Sequence, residues 1–226
     1  MNYKDYIVVI PARKNSKRIK GKNLRELNGR PLISHSIEYA IKFFSRKNIW
    51  VNTDDKIIID LAEGYNISTY RRPSNLAEDE TSTNDVILDF CKHLISKDIN
   101  FKNIIILQPT NPIRTKSLIT EAIKSFEESN SNSLMSVSIL HKKFGKIKNK
   151  KYHPINYKIG QRHQDLENLY YENGLIYISS KKSLFKNNNY ITNDTLPFIT
   201  DEIGSIVDID YEDDLKLAEL IIKYYN

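Results

Sequence analysis

Residues Tyr6–Leu24 read YIVVIPARKNSKRIKGKNL: an unbroken apolar run over Tyr6–Ile10, then proline, then a loop crowded with positive charge. An apolar run of this length, with no polar residue to mark a solvent face, reads as a strand buried on both sides, the kind found in a parallel sheet. Ligands of open α/β sheets collect beyond the carboxyl ends of such strands. The loop therefore begins where a ligand would sit. From Arg13 to Arg30 the cations are Arg13, Lys14, Lys17, Arg18, Lys20, Lys22, Arg25 and Arg30 against Glu26 alone, a local charge of +7 in a chain of +6 that leaves about −1 elsewhere. Charge concentrated in one segment favours a compact polyanion over a nucleic-acid duplex tracked along a whole face.

Outward from this loop, strand and helix patterns alternate. Pro31–Lys47 reads as a helix with Leu32, Ile33, Ile37, Ala40, Ile41 and Phe44 on one face. Ile49–Thr53 reads as a second strand, with Asp54 and Asp55 able to cap the helix that runs to Gly64, and Ile67–Tyr70 as a third. An amphipathic helix through Val86 to Ile95, a buried strand Asn103–Leu107, a helix Ser117–Glu128 and a strand Leu134–Ile139 follow. From His141 to about Tyr171 the periodicity fails, and the segment reads as an excursion, with a hairpin as one form it could take. Leu175–Ser179 and Ser205–Asp208 then read as strands and Tyr211–Tyr225 as a closing helix. Such alternation implies a three-layer, doubly wound α/β fold on a mainly parallel, Rossmann-like sheet, with residues 1–226 as a single domain.

A chain of 226 residues with 40% apolar content can close one core. The lone cysteine, Cys91, excludes an internal disulfide framework and points to the cytoplasm. Ile7–Ile10 is too short for a secretory core, and no run of about 18 apolar residues marks a membrane span. The basic loop is neither G-x-x-x-x-G-K-[ST] nor G-x-G-x-x-G. Only Asn15 and Gly21 in it suit a positive φ, so a phosphate cradle there would lean on side chains more than on backbone.

The stretch PARKNSKRIKGKNLRELNGRPLI, starting at Pro11, resembles the signature P-A-R-x-x-S-K-x-x-x-x-K-N-L of the acylneuraminate (CMP-sialic acid) cytidylyltransferase family. The resemblance continues in order through RRPSNLAEDETST (Arg71–Thr83), LQPTNPIRT (Leu107–Thr115), RHQDLENLYYENGLIYI (Arg162–Ile178) and VDIDYEDDLKLAE (Val207–Glu219). It implies a nucleotidyltransferase that moves CMP from CTP to the anomeric hydroxyl of a nine-carbon sugar acid, releases pyrophosphate and requires Mg²⁺. On the family pattern Arg13, Ser16, Lys17, Lys22 and Asn23 hold the nucleotide, Lys22 nearest the reacting phosphate, while Lys14, Arg18, Lys20 and Arg25 have no match and belong to the surface. Arg72 would reach a phosphate or the base, with Ser82 and Thr83 near the base at a helix head.

Gln108 would face the sugar acid, Arg162 its carboxylate, and Gln164 and Asn173 further polar groups. Near His163 this chain is one residue longer than the family pattern, which shifts Gln164 and Asp165. Asp208 and Asp210, spaced i and i+2 at a strand end, would share the Mg²⁺. In the family the excursion commonly builds a homodimer, and Lys146 and Arg162 are candidates for loan to the partner's site. Competing readings are an octulosonate cytidylyltransferase, disfavoured by the triplet Lys22-Asn23-Leu24, a nucleotide-sugar glycosyltransferase, whose D-x-D usually falls mid-chain, and a basic polyanion-binding module.

Overall fold

The computed structural model describes residues 3–200 and 202–225. In chain order they form β1 (Tyr6–Pro11), a short hairpin of β2 (Glu26–Leu27) and β3 (Arg30–Pro31), α1 (Leu32–Ile41), β4 (Ile49–Thr53), α2 (Lys56–Gly64), β5 (Ser68–Arg71) and α3 (Thr83–Ser96). Next come β6 (Asn103–Ile106), α4 (Leu118–Glu128), β7 (Ser133–Leu140), a hairpin of β8 (Gly145–Lys148) and β9 (Lys151–Pro154), β10 (Leu169–Ser180), α5 (Lys181–Asn187), β11 (Leu196–Ile199) and α6 (Glu212–Tyr225).

The main sheet has the order β11-β7-β10-β6-β1-β4-β5. The run β6-β1-β4-β5 is parallel, as is the pair β7-β11, while β10 runs antiparallel between β6 and β7. Side chains of β1 alternate between two cores. Val8 and Ile10 pack with α1, α2 and α4, whereas Ile7 and Val9 pack with α3 and Leu184 of α5. Helices on both faces make three layers. After β1 the chain builds outward through β4 and β5, then crosses back to β6 on the other side, so the strand order reverses between β1 and β6.

A third apolar cluster ties the two ends of the chain together. Ile19 of the basic loop, Leu27 and Leu32 pack against Val207, Ile209, Leu215 and Ile221. All of Ile19, Leu27, Leu32, Val207 and Ile209 are 0–1% exposed, so this contact is core, and it fixes where the loop meets the residues before α6.

Several expectations need correction. The helix expected over Pro31–Lys47 ends at Ile41, where the turns tighten as Lys42 and Phe43 donate backbone bonds to Tyr39 and Ala40. Ser205–Asp208 is not a strand: Ile203–Ile206 is a 3₁₀ turn, and the alternation of Val207 and Ile209 with Asp208 and Asp210 reflects anchoring in the third cluster. Among the described residues a single backbone bond, Ile209 N–H to Thr110 O at 2.8 Å, links that segment to the loop after β6. Two unforeseen elements, α5 and β11, lie between β10 and that turn. Arg114, at the end of the LQPTNPIRT block, is half-buried and donates to the carbonyls of Leu175 and Gln108, both at 2.8 Å, and to Ser36 Oγ at 3.0 Å. Finally, the charge is not confined to one segment. Residues 141–171 hold seven lysines and Arg162 against Asp165 and Glu167, a second net +6, so the rest of the chain outside both segments is acidic.

Candidate active site

A cleft of about 350 Å³ opens at the point where the strand order reverses, with Pro11 at the end of β1 and Arg13 beyond it on one side and Gln108 and Pro109 beyond β6 on the other. Its cationic wall is the basic loop, which contributes Arg13, Lys22 and Asn23. The loop is pinned at several points. Lys14 N–H donates to Asp54 Oδ1 at 2.7 Å, Asn23 Nδ2 donates to Arg13 O at 3.0 Å, and the chain turns at Gly21 with φ +63°. Asn15 stays out of the left-handed region, and backbone bonds also close the loop, from Lys22 N–H to Ile19 O at 3.2 Å and from Leu24 N–H to Gly21 O at 2.9 Å.

Opposite stand Asp208 and Asp210, whose apolar neighbours Val207 and Ile209 are fully buried. Lys22 Nζ donates to Asp210 Oδ1 at 3.0 Å and Ile209 O at 2.8 Å, and Arg18 pairs with Asp210 from the other side. Burial pulls the Asp210 carboxyl upward, but the hydrogen bonds and charges of Lys22 and Arg18 outweigh it and hold the group below the usual aspartate range. Asp208 behaves oppositely. Burial on its inner side raises it, the Thr110 hydroxyl opposes the rise, and the nearby Asp210 charge adds to it. Among the described residues Asp208 makes no ion pair. Asp214 Oδ2 accepts from the Asp210 and Tyr211 N–H groups at 2.9 and 2.7 Å, which fixes this turn at the head of α6.

Arg72 lines the cleft from beneath. It donates through Nε to Asn52 Oδ1 at 2.9 Å and through a terminal nitrogen to Asn52 O at 3.2 Å, and burial depresses its guanidinium to about 10. Thr83 lines the same space from the first turn of α3, while Ser82 caps that helix by accepting from Asp85 N–H at 3.1 Å. The segment before α3 also brings acid into the cleft. Asp79 pairs with Arg13 at 2.7 Å and with Lys17 at 3.3 Å. Ser16 is half-buried and lies outside the lining residues.

The floor beside Gln108 is organised by Asn111, which is fully buried and donates to Asn173 O at 2.8 Å and Val207 O at 2.9 Å. One amide thus joins the loop after β6, the bulge in β10 and the aspartate turn. Asn173 is buried too. Its amide donates to Ser138 Oγ at 2.9 Å and accepts from Leu175 N–H at 3.2 Å, so both ends of that side chain serve the bulge. Gly174 has φ +74°, and a Cβ there would lie 2.5 Å from Asn111 Oδ1 and 3.0 Å from Gln108 Oε1.

The structure gathers Arg13, Lys22, Asn23, Arg72, Thr83, Gln108, Asp208 and Asp210 around one cleft. It places Arg162, Gln164 and Lys146 on the excursion, all exposed and outside the lining, with Arg162 held in a two-pronged pair to Asp165 at 2.8 and 3.0 Å. Arg18, Asp79 and Asn111 were not singled out for the site. Asp79 and Asn111 stand inside two of the motif blocks, which was the available signal.

Among the described residues no group of three His, Cys, Asp or Glu side chains is gathered as a metal site. Two carboxylates in a cleft that would also hold phosphate oxygens nevertheless fit Mg²⁺, which takes one or two protein carboxylates and completes its shell with phosphate and water.

The family model described as cytidylyltransferase matches residues 7–224. This chain belongs to the cytidylyltransferase family. Among relatives of this cytidylyltransferase, CMP-N,N'-diacetyllegionaminic acid synthase of Legionella pneumophila is 32% identical over 224 residues, covering 96% of each chain. N-acylneuraminate cytidylyltransferase of Streptococcus agalactiae is 31% identical over 215 residues, covering 92% of this chain and 51% of that protein, so the chain spans about half its length. The solved CMP:2-keto-3-deoxy-manno-octonic acid synthetase, complexed with CTP, superposes with a TM-score of 0.70 at 15% identity, covering 96% of this cytidylyltransferase and 98% of that chain, which shows a shared fold.

Proposed function

We propose that the protein transfers CMP from CTP to the anomeric hydroxyl of a nonulosonic acid, a nine-carbon sugar acid of the sialic type. The observation that carries this reading is the single cleft in which the basic loop faces Asp208 and Asp210. The relatives' names point to the same chemistry.

In this reading Arg13, Lys17 and Lys22 take the triphosphate, with Ser16 and Asn23 shaping the loop around it and Arg72, Ser82 and Thr83 toward the base. The anomeric oxygen forms a bond to the α-phosphorus, the bridge to the β-phosphate breaks, and pyrophosphate leaves. Negative charge grows on phosphoryl oxygens in the transition state, so fixed cations are the main catalytic device. Lys22 suits that role, being largely buried with Nζ steered by Ile209 O and Asp210. The hydroxyl proton passes to water in the open cleft as the bond to phosphorus forms. Asp208 and Asp210 would hold Mg²⁺, which when bound supplies positive charge to the phosphates. Gln108 orients the acid.

The excursion at 141–171 would form a homodimer contact, since Ile147 and Ile159 are 78% and 86% exposed on it. Lys146 and Arg162 would then serve the partner's cleft, meeting the sugar carboxylate there. One domain, 1–226, and a cytoplasmic setting complete the reading. No described helix is long and apolar enough to cross a membrane, and no nucleic acid is required.

The test is pyrophosphate release from each nucleoside triphosphate with a panel of acids: N-acetylneuraminate, its deaminated relative, legionaminate, pseudaminate and an eight-carbon octulosonate. Turnover restricted to CTP and a nine-carbon acid is expected. Turnover only with the octulosonate, or with none of the panel, refutes the assignment.

A further inference from the structure

The cleft contains an apparent contradiction: a wall built to bind a polyanion is lined on one side by Glu78 and Asp79. Asp79 Oδ1 lies 2.7 Å from Arg13, its Oδ2 lies 3.3 Å from Lys17, and Glu80 adds a looser contact to Lys17 at 3.6 Å. Arg13 also donates to Glu78 O at 3.4 Å. The two cations nearest this segment are therefore already satisfied by carboxylate oxygens, which have the same acceptor chemistry as a phosphate.

The segment is built to move cheaply. No residue from Pro73 to Ser82 is buried, and its internal backbone bonds are short-range turns such as Leu76 N–H to Pro73 O and Thr81 N–H to Glu78 O. A second cavity of about 800 Å³ lies behind it, and Arg72, Glu78 and Asp79 line both spaces, so the segment is a partition with room to withdraw. Local displacement of such weakly packed chain costs little compared with opening the core.

We propose that Asp79 is an internal stand-in for the triphosphate tail: it holds Arg13 and Lys17 in the ligand-free protein and yields them when the nucleotide enters. This rests on the reading of the cleft as a CTP site. The contact holds Arg13 at the cleft wall and the exposed Lys17 beside it, and it sets nucleotide affinity by competing for them. Because the pairs are partly exposed, each is weak, and replacing the carboxylate should change affinity by roughly three- to fivefold.

Equilibrium binding of CTP, CDP and CMP to the full chain, in buffer free of divalent ions, tests the proposal. Asp79→Asn should bind CTP roughly three- to fivefold more tightly than wild type, CDP by a smaller factor, and CMP no differently, because competition is for the tail. Asp79→Glu keeps the charge and should resemble wild type, and Asp79→Ser repeats the neutral case without an amide that could itself bond Arg13. Unchanged or weaker CTP binding in both neutral variants overturns the proposal, as does an equal gain for CMP. If wild type itself binds no CTP, the reading of the cleft fails and this inference with it. If wild type binds and the neutral variants gain nothing, only the inference falls.

Discussion

Lys22 Nζ lies 3.0 Å from Asp210 Oδ1, joining residues 188 positions apart. The ammonium sits at the boundary of the third apolar cluster, where Ile19 on its own loop packs with Ile209 on the other. Packing brings the segments together, and the polar contact aims the charge. Asp210 is thereby held ionised, which suits a carboxylate meant to remain an acceptor at neutral pH.

Lys22→Met should lower turnover by about 10²- to 10³-fold, the cost of removing one preorganised donor from developing phosphoryl charge. Thermal melting should shift only slightly, because the apolar anchor at Ile19 survives. Pyrophosphate-release kinetics beside a melting curve check both parts, and less than a fivefold loss of turnover contradicts the assigned role.

Asp208→Asn and Asp210→Asn should each still bind CTP while divalent-dependent turnover falls at least about a hundredfold, equivalent to roughly 3 kcal/mol of transition-state stabilisation. Calorimetric CTP titration separates binding from turnover. Full activity in either variant removes that aspartate from the reaction.

Buried phenols set an alkaline limit on stability. Burial pushes Tyr39, Tyr70 and Tyr190 each up to about 12, and raises Tyr6 and Tyr177 as well. In the unfolded chain these groups ionise from about pH 10, so between about 10 and 12 the folded state keeps protons that the unfolded state loses. Their contribution is complete below about pH 10 and disappears as pH rises toward 12. The melting temperature should fall through that window, with tyrosinate absorbance rising in step with unfolding. Ionisation of most tyrosines in a still-folded protein at pH 10.5, about half a unit above the free-phenol value, would count against this burial.

Gly174→Ala should destabilise the protein by about 1–3 kcal/mol, the range for a strained left-handed residue. The added carbon also presses on Asn111 and Gln108. On the proposed assignment of Gln108 to the acid and of the basic loop to CTP, the KM for the sugar acid should therefore rise more than the KM for CTP. Denaturant unfolding and paired KM measurements decide it, and equal shifts in both constants would detach Gln108 from acid recognition.

Much of the layered fold can be read from local pattern. Ile49–Thr53 is the same strand in sequence and structure, because a compact apolar run bounded by Asp54 and Asp55 leaves little else for it to be. Where pattern has two possible causes, reading fails. Val207 and Ile209 alternate with aspartates as a strand would, yet they alternate because a helix and a loop bury them. β11 escapes because four residues containing Pro197 carry almost no period, and its pairing with β7 is a tertiary fact. The site divides in the same way. Positive residues crowded after a first strand announce an anion site locally, whereas Asp79 gains meaning only when folding lays it against Arg13, 66 positions earlier. Asn111 is similar, since its partners Asn173 and Val207 are distant in sequence.

β10 runs unbroken from Leu169 to Ser180, bordering the excursion at its start and packing into the sheet at its end, with a register shift between Glu172 and Tyr177. Gly174, with φ +74°, lies inside that shift. A shift at the excursion end of the strand would travel along it to Asn173 and Gly174, and from there through the Asn111 amide to the loop that carries Gln108, so the outermost and innermost parts of this strand are not free to vary independently.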